Sequence, residues 1–185
     1  MDIITRITRQ RGKMQIAISE QETIVVPLSL FRERPLTEGQ PINLEEYDNW
    51  LMVRQYRHAL DRAVACLAAR AHSKHEIEQK LLRVGYRPCT VEMVLYKLER
   101  EHLLNDADFA RQWVEARSGR KLGRSRIAQE LRRKGIDADE AEEALSAIGE
   151  DAQLADAIAL AEKAAARAKS DENPRKTYQR IAAML

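Results

Sequence analysis

The chain has 185 residues, of which 44% are hydrophobic but only 5% aromatic, and its formal net charge is +2. That length accommodates one ordinary domain or several small helical units sharing a core, and the Leu, Ala, Glu, Arg and Lys that dominate it argue for helices packed through aliphatic ridges and against a β-sandwich. A charge this close to balance does not mark the chain as a whole as a nucleic-acid binder. Two cysteines, Cys66 and Cys89, are too few for a disulfide scaffold and lack CxxC spacing. Together with His72 and His75 they match no common zinc-ligand pattern, so neither a metal nor another cofactor is expected. The chain contains neither an apolar run of about 18 residues nor a signal core at its start, which leads us to expect a soluble cytoplasmic protein.

In chain order, the first texture is β. Ile3, Ile4, Thr5, Arg6, Ile7 and Thr8 are strand formers, Arg11-Gly12-Lys13 is a turn signal, and Met14 to Ile18 alternate. A third strand over Thr23-Ile24-Val25-Val26, stopped by Pro27, completes a small meander of the minimum size for a sheet. Pro35, Gly39 and Pro41 mark a connector. Asn43 with Glu46 then supplies an N-cap and its partner for a long helical stretch.

From Leu44 onward the 3.6-residue period dominates and a repeat emerges once the glycines are aligned. Ile77 and Leu81 stand four apart and are followed by Gly85 and Tyr86; Ile127 and Leu131 stand four apart and are followed by Gly135 and Ile136. Each is a helix end, with the glycine in the left-handed position beyond the last turn and the large apolar residue folding back on it. A helix precedes each of these, over 58–71 into a Ser73/Glu76 capping box and over 106–118 capped from Asn105. Another follows each, from Pro88 to about His102 and from Ala138, introduced by Asp137, to about Ile148. The unit is three helices, recurring about 50 residues on. A third copy starts near Asp151 and runs to Leu185, with Ile181 and Leu185 in the Ile and Leu positions. It reads as incomplete, as in a shortened chain. The predicted organisation is a strand-rich segment over 1–43, a lead helix and first repeat over 44–104, a second repeat over 105–149 and a partial third over 150–185.

Charge is distributed unevenly over the second repeat. From Arg117 to Lys134, eight basic residues (Arg117, Arg120, Lys121, Arg124, Arg126, Arg132, Arg133 and Lys134) accompany a single acid, Glu130, and the following helix from Asp137 inverts the sign with no Lys or Arg up to Asp151. Such a concentration generates a local field able to engage phosphates or an acidic groove, while the acidic helix limits non-specific binding. The contact candidates are Arg117, Arg120, Lys121, Arg124, Arg126, Arg132 and Arg133. Lys134 and Glu130 suit structural roles near the helix end. Phe109 and Trp113, four apart on one face, are expected to pack the centre of the repeat.

Reactive constellations are missing. There is no GxxxxGK[S/T], GxSxG, HExxH or GxGxxG, and the paired Glu142 and Glu143 belong to an ordinary solvated face. Gly119 and Gly123 have the spacing of a membrane helix contact, but Arg120 and Arg124 beside them make the segment a loop. An enzyme and a membrane protein are both disfavoured.

The motifs now assembled resemble those of the RecX family. The string Arg70, Ser73, Glu76, Ile77, Lys80, Leu81 and Gly85 is similar to the first-repeat signature, with Ile77 where Leu is usual. Leu104-Asn105-Asp106, Phe109-Ala110, Trp113-Val114 and Arg117 resemble the opening of the second repeat, and Gly123, Arg126-Ile127, Glu130-Leu131 and Lys134-Gly135-Ile136 its close. The resemblance covers about 58–149. It implies a mainly α fold of tandem three-helix repeats forming an elongated curved array, preceded here by the β-meander. It also implies a non-enzymatic regulator that lodges in the groove of the RecA filament on single-stranded DNA, with inhibition of filament growth and of strand-exchange, ATPase and coprotease activities. A monomer with at most weak direct DNA binding is expected. The alternative is a helix-turn-helix regulator acting directly on DNA, since three short helices with a basic middle one also describe that motif. Repetition without a heptad seam argues against it. A generic helical adaptor using the acidic face from Asp137 to Asp151 is a third reading.

Overall fold

A computed structural model describes residues 2–19, 22–119 and 122–147, with positions 158, 161, 162, 175 and 179 beyond them. The chain divides into two compact units, residues 1–105 and 106–185. The expected third repeat lies almost wholly outside the described residues, as do Arg120 and Lys121.

The first unit opens with β1 (Asp2–Gln10), β2 (Lys13–Ile18) and β3 (Glu22–Pro27), the predicted meander. Gly12 turns the hairpin at φ +76, and Ile7 pairs with Ile16 and Ile16 with Ile24 in antiparallel register. A bulge between Ile4 and Arg6 resets the alternation of β1. The segment read as a connector contains two further elements. Six residues from Leu28 to Glu33 form α1, with Pro27 at its N-cap and Leu30 fully buried. Pro41–Ile42 form β4, a two-residue edge strand on β1 that gives the order β3-β2-β1-β4. Pro41 is tolerated there because an edge strand has one side without ladder bonds.

The lead helix and the first helix of the repeat are one continuous α2 (Leu44–Ala69), 26 residues long. At 1.5 Å per residue that is roughly 40 Å. Asn43 caps it by accepting from the Glu46 N–H at 3.2 Å, while the Glu46 carboxylate pairs with Arg34 at 2.7 Å. Arg34 also lies over the rings of Tyr47 and Trp50, at 5.4 and 5.8 Å. α3 (Lys74–Val84) and α4 (Pro88–Arg100) complete the unit. Ser73 caps α3 through the Glu76 N–H, and the Glu76 carboxylate receives Arg70 at 3.0 Å.

Gly85 ends α3 at φ +99, with the Tyr86 N–H returning to the Leu81 carbonyl. This glycine is needed for a second reason: a Cβ there would lie 3.0 Å from both Lys13 Cβ and Val25 Cγ1. The end of α3 therefore abuts the sheet directly. Ile4, Ile16, Ile18 and Val26 share one core with Leu51, Ile77, Leu81 and Leu98, so strands and helices of this unit are cohesive through a single apolar interior.

Gln55 is fully buried on α2 and its side-chain carbonyl accepts the Arg87 N–H at 3.0 Å. Arg87 is the N-cap of α4 and offers no capping side chain of its own, so this glutamine helps to fix the start of that helix from outside. The Arg87 guanidinium in turn grips both carboxylate oxygens of Asp48, which holds the Asp48 carboxyl below its ordinary range. His72, 4% exposed, closes the junction between α2 and α3. Its Nδ1–H donates to the Arg70 carbonyl at 2.9 Å, and Nε2 accepts from the Lys80 ammonium at 2.8 Å.

The second unit contains α5 (Asp106–Ser118), α6 (Arg124–Arg133) and α7 (Ala138–Ser146). Ile127 and Leu131, both fully buried, anchor α6 on Phe109, Ala110, Val114, Ala141 and Leu145. Gly135 follows α6 at φ +76 and the Ile136 N–H returns to Leu131, repeating the close of α3. Asp137 caps α7 by accepting the Asp139 N–H at 3.0 Å.

Candidate binding surface on the second three-helix unit

The basic run falls into distinct environments. Arg117 projects from α5 to α6, where its Nε donates to Glu130 at 2.8 Å; both side chains are less than one quarter exposed. The same carboxylate accepts the Trp113 indole N–H at 3.1 Å. The Arg117 guanidinium and the Lys134 ammonium lie 4.1 and 4.0 Å from the Trp113 ring centre, and Phe109 stacks on Trp113 with centroids 5.8 Å apart. Glu130, Trp113, Arg117 and Lys134 are thus one half-buried electrostatic knot tying α5 to α6.

Arg124 is engaged as well, pairing with Glu142 on the acidic α7. Burial, reinforced by the carboxylates of Asp106 and Asp137, raises the pKa of Glu140 on the same helix. Arg126, Arg132 and Arg133 behave differently. All three are exposed and none has an acidic partner among the described residues. Arg126 and Arg133 are two turns apart on one side of α6, roughly 10 Å along its axis, whereas Arg132 stands about 100° round the helix from Arg133.

Of the seven contact candidates, the structure leaves Arg126, Arg132 and Arg133 exposed on α6 with no acidic partner among the described residues, places Arg117 and Arg124 in ion pairs, and leaves Arg120 and Lys121 outside the described residues. The pairing of Arg117 with Glu130 was not readable from local spacing, because the partners stand 13 residues apart on different helices. Among the described residues no group of three or more His, Cys, Asp or Glu could hold a metal ion, and no helix is long and apolar enough to cross a membrane.

Two units each built on a three-helix repeat, with glycine-closed middle helices and an exposed cationic face on one of them, define the class: a helical repeat protein preceded by a small antiparallel sheet. The comparisons narrow it. Residues 105–145 match the second three-helix domain of RecX and residues 59–98 the first. A regulatory protein RecX of Clostridioides difficile is 30% identical over 189 residues, covering 100% of this chain and 88% of that protein. The chain belongs to the RecX family of regulatory proteins. A RecX of Prosthecochloris aestuarii is 44% identical over 90 residues, and that match spans 60% of its length. For a RecX of Amycolatopsis mediterranei, 37% identical over 100 residues, the share is 57%. A crystal structure of a regulatory protein RecX superposes with a TM-score of 0.66 at 23% identity, over 98% of this chain and 90% of that one. That of RecX from Lactobacillus salivarius gives 0.63 at 25% identity, over 71% and 86%.

Proposed function

We propose that this protein acts in the cytoplasm as a non-enzymatic inhibitor of RecA, binding the RecA filament on single-stranded DNA and suppressing its recombinase, ATPase and coprotease activities. The observation that carries the reading is the exposed trio Arg126, Arg132 and Arg133, three cations on one short helix without acidic partners among the described residues. Two buried anchors, Ile127 and Leu131, hold that helix in place, so the charges are presented from a rigid element. A cationic helix face suits the polyanionic environment of a protein filament wrapped on DNA, and membership of a family of regulatory proteins supplies the context.

The test is RecA ATP hydrolysis on single-stranded DNA with the protein titrated below one copy per RecA, beside a DNA-only binding control at the same salt. Inhibition at substoichiometric ratios supports filament binding. Absence of inhibition together with tight, sequence-dependent DNA binding would replace this reading by direct action on DNA, the alternative that a basic middle helix in a three-helix unit also suits.

A further inference from the structure

The first unit carries a second surface, distinct from the cationic face of α6. Between α2 and α4 lies a groove of about 350 Å³ lined by Tyr56, Met93, Tyr96, Lys97, Arg100 and Glu101. Its apolar groups are unusually accessible: Met93 is 60% and Tyr96 61% exposed. Met52 and Val53, four and three residues before Tyr56 and so on the neighbouring turn of α2, are 48% and 76% exposed. Isolated exposed apolar residues are ordinary, but a cluster of them around a groove marks a place where another surface is covered. Methionines are suited to such a place because their unbranched, polarizable side chains adapt to what docks on them.

The charges around the groove indicate what that surface is. Lys97 is paired with Glu101 at 2.6 Å. Arg100 has no acidic partner among the described residues and lies over the Tyr96 ring at 5.9 Å. An occupant with apolar side chains for Met93, Tyr96 and Tyr56 and a carboxylate for Arg100 would satisfy every group. A single strand of nucleic acid fits less well. Its phosphates need a row of cations along the groove, whereas here one of the lining cations is already paired and a carboxylate stands among them.

We propose that this groove docks an acidic, amphipathic segment of the RecA polypeptide, giving the protein a protein-binding contact in its first unit in addition to the cationic face of its second. The proposal rests on the filament-binding reading above and adds to it the site and the chemistry of the segment recognised. Apolar anchors supply the contact and the rim cation sets its sign, the usual division of labour when a segment is laid in a groove.

The test uses the full chain and RecA filaments on a poly-dT strand. Wild-type binding is measured first by anisotropy of labelled protein, with Arg126→Glu/Arg133→Glu as a comparison; then Tyr96→Ala/Arg100→Ala is titrated, and p-benzoylphenylalanine in place of Met93 is photoactivated on the filament. All these side chains are exposed, and circular dichroism checks that the fold is kept. The expected result is at least tenfold weaker filament binding by the Tyr96/Arg100 variant and a crosslink from position 93 to RecA protein. Undiminished binding of that variant, or a crosslink to the DNA strand instead of to RecA, overturns the docking proposal while leaving the filament reading intact. If the wild-type protein fails to bind the filament at all, the reading and the docking proposal fall together.

Discussion

Arg117 and Glu130 are joined across α5 and α6 by a 2.8 Å charge-assisted hydrogen bond, and the Trp113 indole shares the same carboxylate. The pairing turns one end of the basic run into internal structure. Arg117→Ala should therefore lower the stability of the second unit by about 1–2 kcal/mol, since Glu130 loses a partner in a partly desolvated place. Filament inhibition per folded molecule should persist. Urea denaturation followed by an ATPase titration separates the two effects, and a folded Arg117→Ala protein without inhibition would return Arg117 to the contact surface.

Arg126 and Arg133 should show the opposite pattern. Arg126→Glu/Arg133→Glu is expected to leave circular dichroism and the melting temperature close to wild type, because surface substitutions away from packed features usually move stability by less than about 0.5 kcal/mol. Inhibition of RecA should weaken and its dependence on salt should flatten. An unchanged inhibition curve with an intact fold would remove both residues from the binding surface.

Much of this fold is legible in the sequence. Ser73 and Gly85 bracket α3 as their residue types require, and Ile127 and Leu131 are buried as their spacing requires. What escaped has a common physical cause. α1 has six residues, too few to display a helical period, and the flanking Pro27 and Pro35 read equally well as breakers. β4 has two residues and exists only through its pairing with Asp2 and Ile3. Gln55 looks like a solvated position on α2 until Arg87, 32 residues later, is brought to it. The basic run was visible as a run, but which of its members are available depends on partners such as Glu130 and Glu142, which are supplied by the tertiary fold.

Gly85 offers a sharper test of that fold. Gly85→Ala forces an L-residue to φ +99 and pushes a methyl against Lys13 and Val25, for an expected cost of about 2–4 kcal/mol. Gly12→Ala meets the same kind of φ, +76, with nothing within 4 Å, and should cost only about 1–2 kcal/mol. Equal denaturation midpoints for the two variants would mean that the junction between α3 and the sheet is loose enough to yield.

His72 makes stability depend on pH. Burial is the main reason its pKa is lowered below the ordinary 6.5, so the unfolded chain binds a proton more readily than the folded one. Above the ordinary value both states are neutral and the histidine contributes no pH dependence. As pH falls below it, the unfolded state protonates first and stability declines, since a proton on Nε2 would face the Lys80 ammonium. Urea midpoints for the wild type and His72→Gln at pH 7.5 and 5.5 should diverge in this sense, with the wild type losing more on acidification. Parallel losses would assign the acid sensitivity elsewhere.

The chain's two tryptophans fall one to each compact unit, Trp50 beside Arg34 and Trp113 beside Arg117 and Lys134. Each indole is held near a cation by tertiary contacts, so its emission should change when its own unit loses structure. The protein thus carries an intrinsic optical label in each half. Replacing either tryptophan by phenylalanine silences one half and leaves the other readable, allowing the melting of the sheet-bearing unit to be followed separately from that of the cationic one, without attaching a dye to either Cys66 or Cys89.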